Sequence, residues 1–247
     1  MWLRNRLVQK CSGTFIERMG LGILCWTQLP WIGGRKEPEI IRLLRSIRKG
    51  GRSLQVTDEA FLIYSLARAQ CAFEGDYAEV GVYRGGSAKL MCEVKGDKQL
   101  HLFDTFNGLP RAAEVDRNIH RVGQYRGQLD AVREYLSQYD SVFYHQGLFP
   151  DSTAGVEDRA YALVHFDVDL YEGTKACFEY FYPRMVRGGI MISHDYDWAS
   201  GVRKAFDDFF ADKPERIFEQ PSTQCLVFMH RPFRPATRNP ATLGAYS

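Results

Sequence analysis

Between residues 57 and 230 the apolar positions of the chain alternate between two spacings. Runs of adjacent apolar residues at Tyr77–Val82, Gln99–Asp104, Ser141–His145, Tyr161–Asp167 and Gly189–Ser193 read as five strands. Between them apolar residues return every three or four positions. Leu62, Leu66 and Ala69 follow Thr57, which can cap a helix carrying Asp58 and Glu59 in its first turn. A second helix runs from the Tyr83-Arg84-Gly85-Gly86-Ser87 turn through Lys89 to Val94, and a third carries Leu129, Val132 and Leu136. Cys177, Phe178, Phe181 and Tyr182 mark a fourth, ended or bent by Pro183, and Val202, Ala205, Phe206, Phe209 and Phe210 a fifth. Strands alternating with helices predict a parallel sheet with crossover helices on both faces. The last unit differs: Ile217–Gln220 and Cys225–His230 are separated by Pro221-Ser222-Thr223-Gln224 alone, long enough for a hairpin and too short for a parallel crossover. The expected fold is α/β, five parallel strands closed by a C-terminal antiparallel pair.

Composition adds an asymmetry. The 247 residues are 45% apolar and 25% charged, ordinary globular usage, with a net charge of only +2 and no field marking a nucleic-acid binder. Residues 1–52 carry 11 basic and 3 acidic residues, whereas 53–230 carry 18 and 27. The expected organisation is a basic N-terminal helical cap or dimer arm (1–52), one main domain (53–230) and a loose Pro-containing tail (231–247). The six cysteines lie scattered without a CxxC pair, which predicts reduced, mostly buried thiols and a cytoplasmic protein. The apolar stretch Gly20–Gly33 contains Gln28 and Pro30 and is shorter than the ~20 residues of a spanning helix. As a signal core the run is broken before it starts by Glu17 and Arg18, so neither membrane insertion nor export is expected. Trp26 and Trp31, beside Arg4, Arg6, Lys10 and Arg18, could touch an anionic membrane surface, a weaker expectation than packing on the body or a partner subunit.

Three segments carry chemistry. In Glu79-Val80-Gly81-Val82-Tyr83-Arg84-Gly85-Gly86-Ser87 an acid precedes a glycine-bearing turn that opens a helix, and such glycines let backbone approach a ligand closely. It is not GxGxxG, which argues against a dinucleotide site, and a tight strand-to-helix turn is the plain alternative. Asp104 ends the second strand near the offset at which an acid reaches a ribose. Beyond it, Phe106-Asn107-Gly108-Leu109-Pro110 and the aperiodic run to Tyr125 suggest a lid or an irregular loop. Finally, Asp167-Val168-Asp169 and His194-Asp195-Tyr196-Asp197 end adjacent parallel strands and therefore converge on one sheet edge. Carboxylates held so close favour a hard cation such as magnesium. Asp197 reads as surface, and His194 as ligand, ligand support or core histidine.

With those residues assembled, the chain resembles the macrocin-type sugar O-methyltransferases of antibiotic biosynthesis from about Val56 to His230. The carriers are Ala78–Ser87, Phe103–Pro110, Gly147-Leu148-Phe149-Pro150-Asp151-Ser152, Asp167–Tyr171 and His194-Asp195-Tyr196. The resemblance implies a Rossmann-like class I methyltransferase fold and S-adenosylmethionine as donor. Glu79 and Gly81 would line its methionine end and Asp104 its ribose, with Tyr83, Arg84, Gly85, Ser87, Thr105, Phe106 and Asp167 completing the donor site. It also implies magnesium or another divalent cation at Asp167, Asp195 and His194, and Asp169 as general base toward a hydroxylated, glycosylated small-molecule acceptor. His194 stands where the family has a second acid; imidazole removes one negative charge and softens the site toward a transition ion. Two rivals follow from the same residues: a donor-binding protein with a decayed metal site that recruits a partner, and a nucleotide-sugar or dinucleotide enzyme.

Overall fold

Tyr161–Phe166 is buried at every position, as a strand covered on both faces must be, and it forms the middle of the sheet. The computed structural model describes residues 14–34, 36–116 and 120–230; the tail 231–247, Cys11 and the basic Arg4, Arg6 and Lys10 lie outside them. The strands are β1 (Asp76–Val80), β2 (Leu100–Asp104), β3 (Val142–Gln146), β4 (Tyr161–Phe166), β5 (Met185–Ser193), β6 (Ile217–Glu219) and β7 (Cys225–Phe228). They are ordered β3-β2-β1-β4-β5-β7-β6. The first five run parallel; β7 pairs antiparallel with β6, as the short 221–224 connection requires, and also with β5.

The helices are α1 (Phe15–Gly33), α2 (Pro38–Lys49), α3 (Thr57–Gln70), α4 (Gly86–Cys92), α5 (Leu129–Tyr135), α6 (Tyr171–Phe181) and α7 (Ser200–Phe210). They cover both faces of the sheet. On one side Phe178, Phe181, Phe206 and Phe210 of α6 and α7 pack against Phe166 and Phe103. On the other, Ile63, Ala67, Leu90 and Met91 of α3 and α4, with Ile40, Leu44 and Ile47 of α2, pack on Leu102, Leu163 and Ile192. Four of the five described cysteines are buried and all five are free, as the scattered spacing suggests.

Several boundaries differ from the sequence reading for local reasons. β1 stops at Val80 because Gly81 turns left-handed, φ 87°, although its N–H still donates to Phe103 O at 2.9 Å. α4 closes at Cys92, short of Val94. β5 starts at Met185, before the expected Gly189, with the register shift between Tyr161 and Leu163 absorbing the extra residues. Thr57 does not cap α3: it is the first helical residue, and its hydroxyl donates to Cys25 O at 3.3 Å. The Glu59 carboxylate instead accepts the Val56 N–H at 3.1 Å.

Candidate active site

The ends of β1, β2, β4 and β5 each pass through a left-handed residue other than glycine: Tyr83 (φ 53°), Phe106 (54°), Asp169 (61°) and Asp195 (61°). Such backbone is uncommon and clusters where a fold holds side chains for use. Three of them, Tyr83, Asp169 and Asp195, line one cleft of about 1350 Å³.

Gly81, Tyr83, Ser87, Asp104, Thr105 and Asp167, expected at the donor site, line this cleft. A Cβ on Gly81 would stand 2.0 Å from Asp167 O, so the glycine is demanded by the close crossing of β1 and β4 as well as by any ligand. Asp104 binds the two loops together: Oδ2 accepts the N–H groups of Val82 (2.7 Å) and Tyr83 (2.9 Å), and Oδ1 that of Phe106 (2.6 Å). Burial pushes its carboxyl up, against the pull of those three N–H donors and of the Thr105 side chain.

The remaining expected donor residues do not line the cleft. Glu79 is fully buried beneath it, with Oε1 2.9 Å from His165 Nδ1, and burial pushes its carboxyl up. Phe106 is core and offers only its backbone N–H. Gly85 packs against Val132, and Arg84 turns outward, donating to Gly51 O at 3.3 Å. Gln55, which sequence reasoning missed, links the layers: its Nε2 lies 3.4 Å from His165 Nε2 and 3.5 Å from Asp167 Oδ2.

Asp167, His194 and Asp195 each offer one ligand atom, all within 4.8 Å of one another. His194 Nδ1 lies 3.0 Å from Asp195 Oδ1 and 3.4 Å from Asp167 Oδ1 without making a well-directed hydrogen bond. Its Nε2 lies 3.1 Å from Glu59 Oε2, whose other oxygen accepts the Thr223 hydroxyl at 2.7 Å. With Nε2–H turned to Glu59, Nδ1 faces the two carboxylates as a ligand nitrogen; a carboxylate–histidine pair of this kind holds a metal-binding tautomer. The donor set therefore fits a divalent cation. Without one, burial opposes charge on the ring, but Asp195, Asp167 and Glu59 overcome it and hold His194 well above its usual pKa. Asp169 is pushed well above the carboxylate range by burial and by Asp195 and Asp167. Asp197, read as surface, pairs with Arg203 at 3.0 Å.

The expected lid is anchored at both ends. Leu109 N–H donates to Gln124 O and Gly123 N–H to Leu109 O, both at 2.9 Å. Asp116 Oδ2 accepts the Tyr171 N–H at 2.9 Å, at the first turn of α6, in a slot that exists because residue 201 is glycine. His120, also missed from sequence, projects a side chain only 2% exposed to within 3.7 Å of Asp169 Oδ1.

This sheet order, with a reversed seventh strand and the site at the carboxyl ends of the parallel strands, defines a class I methyltransferase fold. The chain belongs to the Macrocin-O-methyltransferase (TylF) family, whose model matches residues 65–221. It is similar to the 8-demethyl-8-(2,3-dimethoxy-alpha-L-rhamnosyl)-tetracenomycin-C 4'-O-methyltransferase of Streptomyces olivaceus, 34% identical over 139 residues, 49% of this chain and 53% of the relative. It is also similar to the demethyldecarbamoylnovobiocin O-methyltransferase of Streptomyces niveus, 29% identical over 153 residues, 56% of this chain and 58% of the relative. These matches span little more than half the length of either relative. Among solved structures, the O-methyltransferase NovP superposes with TM-score 0.66 at 22% identity, covering 87% of this chain and 100% of that one. Calicheamicin methyltransferase CalS11 gives 0.62 at 19%, covering 86% and 91%. At these identities the structural likeness establishes the fold.

Proposed function

We propose that the chain is an S-adenosylmethionine-dependent O-methyltransferase, assisted by a divalent cation, that methylates a hydroxyl of a sugar or related polyol in a natural product or glycoconjugate. The observation that carries this reading is the convergence on one cleft of the Gly81–Asp104 loops with the Asp167–His194–Asp195 cluster and Asp169. Family membership and the names of the two Streptomyces relatives support the reaction class.

The donor supplies an electrophilic methyl group, and a cation held by Asp167, His194 and Asp195 supplies acidification of a bound hydroxyl. The chain's own residues do the rest. Asp104 offers its carboxylate to a ribose hydroxyl while fixing both loops that face the donor. Asp169 accepts the proton released as the acceptor oxygen attacks; its left-handed backbone and neighbouring Asp195 aim the carboxylate into the cleft. The loop anchored by Asp116 and carrying His120 covers this point and limits water. A cytoplasmic location goes with the reading, supported by the free thiols of the described cysteines.

The test is calorimetric titration of S-adenosylhomocysteine, with and without manganese or magnesium, followed by labelled-methyl transfer to a panel of glycosylated acceptors. Donor-product binding with cation-dependent transfer is expected. Binding without transfer to any acceptor would instead favour a non-catalytic donor-binding protein.

A further inference from the structure

Helix α1 leaves an uncovered apolar face. At about 100° per residue, Phe15, Met19, Ile23, Trp26, Pro30 and Trp31 fall on one half of its circumference. Phe15, Trp26 and Trp31 are 77%, 75% and 87% exposed. Of the thirteen large apolar side chains exposed among the described residues, seven belong to this helix. The polar side chain within that half, Thr27, donates its hydroxyl to Leu24 O at 2.8 Å, so the face needs no hydrogen bonds from a partner. The opposite side fixes the helix in place: Cys25 is buried, Gln28 Oε1 accepts the Thr57 N–H at 2.9 Å, and Arg48 donates to Arg18 O at 2.9 Å.

We propose that this face of α1 seats on an anionic lipid surface. Charge selects that occupant over a second copy of the chain. Residues 1–36, the helix and its neighbours in sequence, carry six basic residues and one acidic, so two copies would bring together segments of like net charge, an excess that an anionic bilayer neutralises. Nineteen residues make a helix ~28 Å long with its apolar half turned to solvent. An amphipathic helix lying in the lipid headgroup region needs no more than that. The acidic body, residues 53–230, is repelled by the same lipids, which orients the molecule. Ile16, Ile23 and Leu24 are exposed and also line the cleft, so the cleft opens beside the seated face. A saccharide carried on a lipid would meet the site from the bilayer side, a consequence that rests on the methyltransferase reading.

The experiment is co-sedimentation of the full chain with vesicles of phosphatidylcholine alone or mixed with phosphatidylglycerol, with light scattering of the lipid-free protein alongside. Binding to the anionic vesicles is expected, roughly tenfold weaker on neutral ones, weakened by salt, and reduced roughly tenfold by Trp26→Ser with Trp31→Ser. Retained S-adenosylhomocysteine binding by that variant reports that it remains folded. Failure to sediment with anionic vesicles overturns the proposal, as does binding that the double substitution leaves unchanged. A dimer that these substitutions dissociate, without vesicle binding, would assign the face to a second copy. Donor-product binding by the parent chain is read separately, so the docking proposal and the methyltransferase reading fail independently.

Discussion

His194 Nε2 lies 3.1 Å from Glu59 Oε2, joining the end of β5 to the first turn of α3 across 135 positions of sequence. The same ring presents Nδ1 to Asp195 and Asp167, so one imidazole links the helical layer to the carboxylate cluster. Its protonation therefore bears on folding and, on the proposed reading, on the binding of a cation.

For the metal-free protein, burial disfavours a charged His194, but three carboxylates outweigh it and raise its folded pKa above the ordinary 6.5. That stabilisation is complete below the unfolded value and is lost as pH rises through the folded one. Glu59 is buried and Asp167 partly so, yet both are depressed below 4.5 and 3.8, chiefly by His194, so their contribution is lost as pH falls through their folded values. Urea midpoints in chelator should thus decline toward alkaline pH, and His194→Gln should remove that decline. Glu59→Ala removes the acceptor at Nε2 while Asp195 and Asp167 stay beside Nδ1, and should cost roughly 1.5–3 kcal/mol.

Metal binding at His194 Nδ1 requires the ring to be neutral. Titrating manganese at neutral pH should release about one proton per ion, read as a dependence of the calorimetric enthalpy on buffer. His194→Gln should abolish that release. An enthalpy independent of buffer would place the cation elsewhere.

Asp169→Asn should keep donor-product affinity within about twofold while lowering turnover by ~10²–10⁴. Binding calorimetry and labelled-methyl transfer on the same preparation separate the two effects. A wild-type rate in this variant would remove Asp169 from the role of base.

Gly81→Ala places a methyl 2.0 Å from Asp167 O at a backbone φ of 87°. It should destabilise by ~1–3 kcal/mol and weaken donor binding, because β1 and β4 must part. Gly201→Ala, whose methyl would fall 1.7 Å from Asp116 Oδ1, should release the lid from the first turns of α6 and α7. Faster proteolysis between residues 107 and 125 is expected, with a higher KM for the acceptor and a smaller change in stability.

The two spacings of apolar residues were enough to establish every strand, because burial on a sheet and on a helix face leaves a local imprint, and the four-residue connection 221–224 established the reversed final pair. The convergence of Asp167, Asp169 and Asp195 was legible for a related reason: adjacent parallel strands must deliver their ends to the same edge. What neighbouring sequence does not record is which way a side chain turns once several elements compete for it. Glu79 turns under the floor to His165, Arg84 turns outward to Gly51, and Thr57 gives its hydroxyl to α1. Glu59, Gln55 and His120 become part of the site only through contacts with residues far along the chain, and no spacing rule reaches that far. Sequence alone determined the fold and the edge where chemistry gathers, since both follow from periodic burial and chain direction. The partners of each buried charge were decided by tertiary packing, because in a low-dielectric interior a polar group takes whatever hydrogen-bonding neighbour the packed elements bring within reach.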